Sequence, residues 1–144
     1  MFRKILYPTD FSDVSGKALE FVKSLRDAGA EEVVVLHVID MRHFSGPDVA
    51  SALDLEMLDV LIEKASRREM DEVVEELKKC GFLVKDMIRH GIPLKEILGV
   101  EDEEDVSVTV IGSHGKGNVE EMLLGSVSEK FVRKSKKPVI VVKR

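Results

Sequence analysis

Apolar runs and helical stripes alternate along the whole chain. Most of the short runs consist of β-branched residues without polar alternation, which is typical of strands in a parallel sheet covered on both faces. Between the runs, apolar residues recur at three- and four-residue spacing, which predicts amphipathic helices. One run, 82–89, alternates and is expected nearer a sheet edge. The predicted strands are residues 4–7, 32–39, 82–89, 106–111 and 139–142.

The helical segments carry start and stop signals. Ser12 is predicted to cap the first helix, and Pro93 is predicted in the first turn of the third. The second helix is predicted over 48–79, with Gly81 as its left-handed end. The third ends in the acidic run 101–105, whose carboxylates are expected to be solvated, because they cannot all converge on one cation.

This order of elements predicts a single α/β domain over residues 1–144. Right-handed crossovers leave few layouts, and the one we predict has five parallel strands in the order 3-2-1-4-5 with helices on both faces. In that layout a crevice opens between the first and fourth strands at their carboxyl ends. Loops 8–10 and 112–117 flank this crevice.

A glycine-rich segment follows the fourth predicted strand. Gly112, Gly115 and Gly117 allow backbone amides to approach a ligand closely. Ser126, with Glu129 three places later, fits a capping box that opens the last helix, and a helix N-terminus attracts anions. Each residue alone also fits a sharp turn or a plain cap. Their joint arrangement favours a phosphate site.

Composition narrows the class of function. With 44% hydrophobic and 34% charged residues, no long apolar run and no basic leader, the chain is expected to be a cytoplasmic protein without a membrane partner. A net charge of −5 argues against general nucleic-acid binding. The four histidines lack metal-binding spacing, and His37 is predicted to be a core residue with a bonded ring nitrogen. The single cysteine, Cys80, is expected half-buried and inert at a helix end.

Two common nucleotide-binding motifs do not match. Gly115-x-Gly117 lacks the third glycine of a dinucleotide fingerprint and follows the fourth strand rather than the first. Lys116 precedes a glycine, so that no P-loop signature is formed.

A longer pattern resembles a known family. The spacing Gly112-x2-Gly115-x9-Gly125-Ser126 is similar to the nucleotide-binding signature in the ATP-binding branch of the universal stress protein family. The resemblance covers the whole chain and implies an adenine nucleotide α-hydrolase-like fold. The other matching segments are KILYPTDFS at 4–12, VLHVID at 35–40, GIP at 91–93 and KPVIVVKR at 137–144.

The resemblance implies an ATP site with bound Mg²⁺ or Mn²⁺. Adenine and ribose are expected among Pro8, Thr9, Asp10 and Val38. The phosphates are expected at Gly112, Gly115, Gly125, Ser126 and Val127, flanked by Ile111, Ser113 and His114. By position, Asp10 is placed to accept ribose hydroxyls or to hold a phosphate-bound metal, although it equally fits a plain helix cap. Val38 and Ile39 are placed to wall an apolar base.

The resemblance also implies a homodimer through the last strand, Val139–Val142. Physical chemistry gives an independent motive, because an apolar sheet edge is an aggregation hazard unless another chain pairs with it. Four positions depart from the family pattern and are expected to affect the packing of the third helix rather than the nucleotide site: Gly99, Asp105, Ser107 and Thr109.

Two functions of different class remain open. In the first, the chain is an ATP-binding regulatory module that acts through an unidentified protein partner, with nucleotide ordering the loops at 41–49 and 112–125. The alternative is an enzyme that slowly hydrolyses ATP or transfers its phosphate. Near the phosphates the candidates for that chemistry are His114, Lys116 and Asp10. No nucleophile is paired with a base in the sequence, so no catalytic residue is assigned.

Overall fold

Five parallel strands form one sheet in the order β3-β2-β1-β4-β5, which confirms the predicted topology. The computed structural model describes residues 1–40, 42, 52–114 and 125–144. A single 3₁₀ turn, Leu25–Ala28, follows the first helix. The elements are β1 Lys4–Pro8, α1 Asp13–Ser24, β2 Glu32–Ile39, α2 Ala52–Lys79, β3 Leu83–His90, α3 Pro93–Glu103, β4 Val108–Gly112, α4 Ser126–Lys134 and β5 Val139–Val142.

Alternate residues of the central strands feed two separate cores. In β1, Ile5 and Tyr7 pack with α1 and α2 on one face of the sheet, whereas Leu6 packs with α3 and α4 on the other. Leu6 lies between Val34 of β2 and Thr109 of β4 in the strand register. Because both faces are covered, these strands need no outward polar residues. Helices on both faces are therefore confirmed.

Left-handed glycines and a serine cap fix the helix ends as predicted. The side chain of Ser12 accepts the amide of Ser15 at 3.2 Å and caps α1. Gly81 has φ +92°, and the amide of the following Phe82 reaches back to the carbonyl of Leu77 at 3.2 Å, the pattern of a Schellman end. Cys80, beside it, is exposed rather than half-buried. Within the described residues, no helix is both long and apolar enough to cross a membrane.

Two carboxylates of the acidic run are not solvated as predicted. Glu104 has a side chain only 12% exposed and pairs with Lys85 at 2.7 Å, and Glu101 is buried more deeply. Glu101 is 4% exposed and accepts hydrogen bonds from Thr109 Oγ1 at 3.1 Å, Ser135 Oγ at 2.6 Å and the amide of Lys136 at 3.3 Å. Its neighbour Asp102 is exposed, as predicted for the run as a whole. Glu101 points inward because the last turns of α3 lie over β4, where Thr109 is a polar residue in an otherwise apolar strand.

Two of the positions that depart from the family pattern have structural roles here. Asp105 adopts φ +46°, the left-handed conformation that follows the end of α3. Its carboxylate pairs with Lys137 at 2.8 Å, which lowers the pKa of Asp105. Ser107 exchanges hydrogen bonds with Lys4, through its hydroxyl at 3.2 Å and its amide at 2.8 Å. Both positions lie near the amino ends of the strands, away from the crevice.

Candidate functional site

The loop after β1 is tied to the neighbouring strand β2. The amide of Thr9 donates to the carbonyl of Leu36 at 2.8 Å, and the carbonyl of Thr9 is 2.8 Å from His37 Nδ1. His37 therefore has the bonded ring nitrogen that was predicted, although it is only half-buried. Pro8 is the last residue of β1 and pairs in register with Leu36. These contacts fix the position at which the loop leaves the sheet, at the carboxyl ends of the strands.

Asp10 lies in this loop, at the position predicted for ribose or metal. Its Oδ1 accepts the amide of Ser12 at 3.0 Å, so the carboxylate closes a local turn. Ser12, not Asp10, caps α1, and the interpretation of Asp10 as a plain helix cap is therefore wrong. Phe11 follows with φ +62°, which costs a non-glycine residue about 1–2 kcal/mol. Its ring centroid lies 4.5 Å from that of His37.

The buried hydroxyl groups of Tyr7, Ser15 and Thr9 form a hydrogen-bonded chain at the base of the loop. The Tyr7 phenol donates to the carbonyl of Ser15 at 2.6 Å and lies 3.0 Å from Ser15 Oγ. Ser15 Oγ in turn donates to Thr9 Oγ1 at 2.5 Å. Burial raises the pKa of the Tyr7 phenol above its ordinary value of 10.0, against the opposing effect of its hydrogen bond with Ser15. These hydroxyls join β1, α1 and the loop.

Gly112, at the end of β4, makes a close approach to α1. A Cβ at this position would lie 3.0 Å from Val14 Cγ1 and 3.4 Å from the amide nitrogen of Ser15. A side chain at this position would therefore force Val14 to shift, and the glycine lets α1 begin close to β4. The sequence predicted that the Gly112 backbone approaches a ligand, whereas the group that the structure places beside it is the first turn of α1.

The start of α4 is fastened to the end of β4. The amide of Gly125 donates to the carbonyl of Ser113 at 2.6 Å, and Ser128 Oγ donates to the carbonyl of Gly112 at 2.7 Å. These bonds place the N-terminus of α4 beside the crevice between β1 and β4. In this geometry the first-turn amides of Ser126, Val127 and Ser128 have no acceptor within the helix.

The predicted capping box at Ser126 is wrong by one residue. Gly125 is the N-cap, with φ −70° and ψ 162°, and Ser126 is the first helical residue, with no side-chain cap on α4. The reason is the hydrogen bond from the Gly125 amide to Ser113, which holds Gly125 in an extended conformation. Glu129 then falls one place beyond the capping position and pairs instead with Arg133 at 2.9 Å.

Ser113 and His114 form the buried floor between these elements. Ser113 has no exposed surface, its amide donates to the carbonyl of Val142 at 2.8 Å, and its Oγ lies 2.8 Å from His114 Nδ1. His114 is 6% exposed. The backbone of Ser113 thus contacts both α4 and β5.

Val38, predicted to wall the base, is half-buried against the core on the α3 and α4 face of the sheet. Ile111 and Val127, which were predicted at the phosphates, lie on that same face, Ile111 buried and Val127 half-buried. Ile39 is only 3% exposed, which leaves Val38 as the more accessible of the two predicted wall residues.

The structure brings most of the predicted site residues to one end of the sheet. Pro8 ends β1, Thr9 and Asp10 follow it, and Gly112 contacts the turn of α1 that begins just after them. Gly125, Ser126 and Val127 join the same end through Ser113. Gly115, Lys116, Gly117 and all of the predicted loop 41–49 except Arg42 lie outside the described residues.

Sequence reasoning missed the residues that hold this arrangement together. Ser15 and Ser128 bond to groups six and sixteen residues away, and no local motif marks such pairs. Arg42 was also missed. Its guanidinium donates two hydrogen bonds to the Asp40 carboxylate just after β2, at 2.9 Å and 2.6 Å, and these bonds raise the pKa of Arg42.

Comparison with known proteins places this geometry in a family. Universal stress protein MJ0577 of Methanocaldococcus jannaschii is 44% identical over 157 aligned positions, which cover 100% of this chain and 96% of that protein. A solved structure of hypothetical protein MJ0577 superposes with a TM-score of 0.88 at 46% identity, over 100% of this chain and 97% of that one.

Two more distant structures contain nucleotides. A universal stress protein in complex with cAMP has a TM-score of 0.71 at 19% identity, covering 99% of this chain and 97% of that one. The universal stress protein from Archaeoglobus fulgidus in complex with dAMP has a TM-score of 0.65 at 23% identity, covering 99% and 98%. At these identities the likeness concerns the fold alone. The pattern that defines the universal stress protein family matches residues 1–143, and the chain belongs to that family.

Proposed function

We propose that this protein binds ATP in the crevice between β1 and β4 and acts as a nucleotide-dependent regulatory module through a protein partner. The observation that carries the proposal is the hydrogen bond of 2.6 Å from the Gly125 amide to Ser113, which fastens the N-terminus of α4 at the end of β4. First-turn amides and the positive end of a helix dipole favour phosphate. The loop that carries Asp10 begins on the adjacent strand.

The contacts refine the part that each predicted residue plays. The Gly125 amide is bonded to Ser113, so the phosphate contacts fall to the amides of Ser126 and Val127. The amide and carbonyl of Thr9 bond within the protein, and its hydroxyl oxygen accepts from Ser15, so Thr9 shapes the base site through its backbone. Asp10 accepts the ribose hydroxyls, because its carboxylate lies in the loop that leaves β1 at the crevice.

A divalent cation fits the same arrangement. Asp10 offers a carboxylate oxygen at the crevice, and Mg²⁺ is usually held by one or two carboxylates together with substrate phosphates and water. Bound there, the cation would neutralise phosphate charge. The donor set therefore suits Mg²⁺ or Mn²⁺ carried in with the nucleotide rather than a metal bound by the protein alone.

The family relationship supports an adenine nucleotide as the ligand. The relatives in complex with cAMP and dAMP share an adenine, a ribose-type sugar and a phosphate, which are the three groups the crevice is proposed to hold. ATP is proposed because the additional phosphates extend the negative charge toward the α4 N-terminus. The cytoplasmic location predicted from the sequence is part of this proposal.

We also propose a homodimer through β5. This strand is at one edge of the sheet, and all four of its residues are apolar and only half-buried. Ile140 and Val142 pack toward one core and Val139 and Val141 toward the other, so both faces of the edge stay partly uncovered. Pairing with the same strand of a second copy would cover them.

A pair of variants at one position tests the proposal. Ser126→Pro removes the first-turn amide, and proline suits both this helical position and the extended Gly125 before it. Loss of one charge-assisted hydrogen bond should raise the Kd for ATP with Mg²⁺ about tenfold to a hundredfold in calorimetry. The matched control Ser126→Ala keeps the amide and should change the Kd by less than about threefold.

Three outcomes would contradict the proposal. The first is wild-type protein that gives no heat with ATP and Mg²⁺ and releases no adenine nucleotide when denatured after purification. The second is an equal Kd for Ser126→Pro and Ser126→Ala, which would remove α4 from the phosphate site. Turnover faster than about one per minute that is lost in His114→Ala would favour the enzyme instead.

A further inference from the structure

The hydroxyl of Tyr7 occupies a place where the fold needs only an apolar ring. Tyr7 is 1% exposed and packs within the core on the α1 and α2 face, where a phenylalanine would fill nearly the same space. A buried hydroxyl is costly unless it is bonded, and this one is bonded to Ser15 O at 2.6 Å. It lies at the carboxyl end of β1, directly under the loop that carries Asp10.

The hydroxyl chain ends on the backbone of that loop. Ser15 Oγ donates to Thr9 Oγ1 at 2.5 Å, and Thr9 Oγ1 also accepts the amide of Phe11 at 3.0 Å. Phe11 has the positive φ of 62°, a conformation that persists only when its surroundings hold it. Asp10 lies between the two residues joined by this bond, so its backbone is clamped from beneath.

From this geometry we infer that Tyr7 and Ser15 are positioning residues for the nucleotide site, and that their hydroxyls set how well Asp10 engages the ribose hydroxyls. The inference rests on the proposed function, because it assigns a role within that site. It differs from a purely structural role, since loss of the hydroxyls should weaken recognition of the sugar while leaving the phosphate contacts of α4 unchanged.

The measurement is the ratio of two dissociation constants. ATP and 2′,3′-dideoxy-ATP carry the same base and phosphates, and only ATP offers hydroxyls to Asp10. For the wild type, the Kd of the dideoxy compound should exceed that of ATP by about tenfold or more, the effect of a hydrogen bond to a charged group. In Tyr7→Phe the ratio should fall about fivefold, with the Kd of the dideoxy compound changed by less than about twofold.

Further variants separate positioning from packing. Ser15→Ala breaks the same chain without altering the core ring and should lower the ratio as Tyr7→Phe does, whereas Ser15→Thr keeps a hydroxyl and should restore it. Ser66→Ala removes a buried hydroxyl of α2 that is not a member of the Tyr7–Ser15–Thr9 hydroxyl chain, and it should leave the ratio at the wild-type value. Thermal unfolding of each variant confirms that folded protein is compared.

Each other result overturns a specific statement. A wild type that binds neither compound overturns the proposed function and the inference with it. A wild type that binds ATP with a ratio near one overturns the inference, because Asp10 then does not engage the sugar. Binding of both compounds weakened equally in Tyr7→Phe and Ser15→Ala also overturns it, since that is the signature of a structural role alone.

Discussion

Removal of the buried carboxylate of Glu101 should destabilise the protein more than any other single change in the acidic run. Glu101→Ala leaves two donors without an acceptor, the hydroxyl of Thr109 and the amide of Lys136, whereas the Ser135 hydroxyl keeps the carbonyl of Lys137 at 3.1 Å. At about 1 kcal/mol for each unpaired group, the loss is about 2 kcal/mol in the free energy of unfolding. For a domain of this size that corresponds to about 6 °C in Tm, at about 3 °C per kcal/mol.

An isosteric change should have a smaller effect. In Glu101→Gln the amide oxygen still accepts the Lys136 amide, and Ser135 can turn its hydroxyl proton to the carbonyl of Lys137, 3.1 Å away. We expect a loss of about 1 kcal/mol, because hydrogen bonds to a charged acceptor become neutral ones. The exposed neighbour serves as control, since Asp102→Ala should stay within about 0.5 kcal/mol of the wild type.

Urea unfolding followed by circular dichroism gives the free energies, and thermal scans give the Tm values. Loss of less than about 1 kcal/mol in Glu101→Ala would show that the two unpaired donors find water, and that Glu101 is not the acceptor that joins α3 to the turn before β5. A loss in Asp102→Ala as large as that in Glu101→Ala would point to helix propensity rather than to burial.

Three further predictions follow from the contacts described. Tyr7 is the one tyrosine in a chain without tryptophan, so a near-ultraviolet titration reports its phenol alone. The pKa of Tyr7 should lie above 10.0 in the folded protein and near that value in denaturant, and equal midpoints would contradict its burial. Arg89 lowers the pKa of Glu103 below its ordinary 4.5, so this pair stabilises the folded state above that pH and loses its effect as the pH falls through the lowered value. Glu103→Gln should therefore be less stable than wild type near neutral pH and match it in strong acid, and a difference that persists in acid would exclude the ion pair. At β5, Thr109 and Ser113 bond to the carbonyls of Pro138 and Val142, so the backbone of Val141 faces the free edge. Val141→Pro should yield monomers in analytical ultracentrifugation while Val141→Thr stays dimeric, and equal masses would contradict pairing through this edge.

Most of the fold could be predicted because periodicity reports burial. The bounds of β2 and β5 agree with the apolar runs, and the strand order follows from crossover handedness and the alternation of elements. The start of β4 was predicted two residues early, because Val106 is buried without pairing in the sheet. The carboxylates of the acidic run were all predicted to be solvated. Which of them points inward depends on its rotational position about the axis of α3, and that position turns Glu101 toward the core.

The site could be predicted in location but not in detail. Glycine spacing and topology point to the same end of the sheet, and the described residues are found there. The capping error at Ser126 arose because Ser and Gly both suit an N-cap, and a contact with Ser113 decides between them. The hydroxyl chain under Asp10 depends on the register between β1 and α1, which the sequence pattern does not determine.

The length of α2 gives the molecule a ridge beside the crevice. Its 28 residues span about 42 Å, whereas the 8 residues of β3 span about 26 Å. Asp59 is level with the end of β3, since its carboxylate lies 3.1 Å from His90 Nε2. The first turns of the helix therefore project about 10 Å beyond the strand ends. Met57 lies beyond the level of Asp59, Val60 and Leu61 lie just below it, and all three side chains are well exposed. Any macromolecule that approaches the open end of the sheet from the β3 side meets this ridge before it reaches the crevice between β1 and β4.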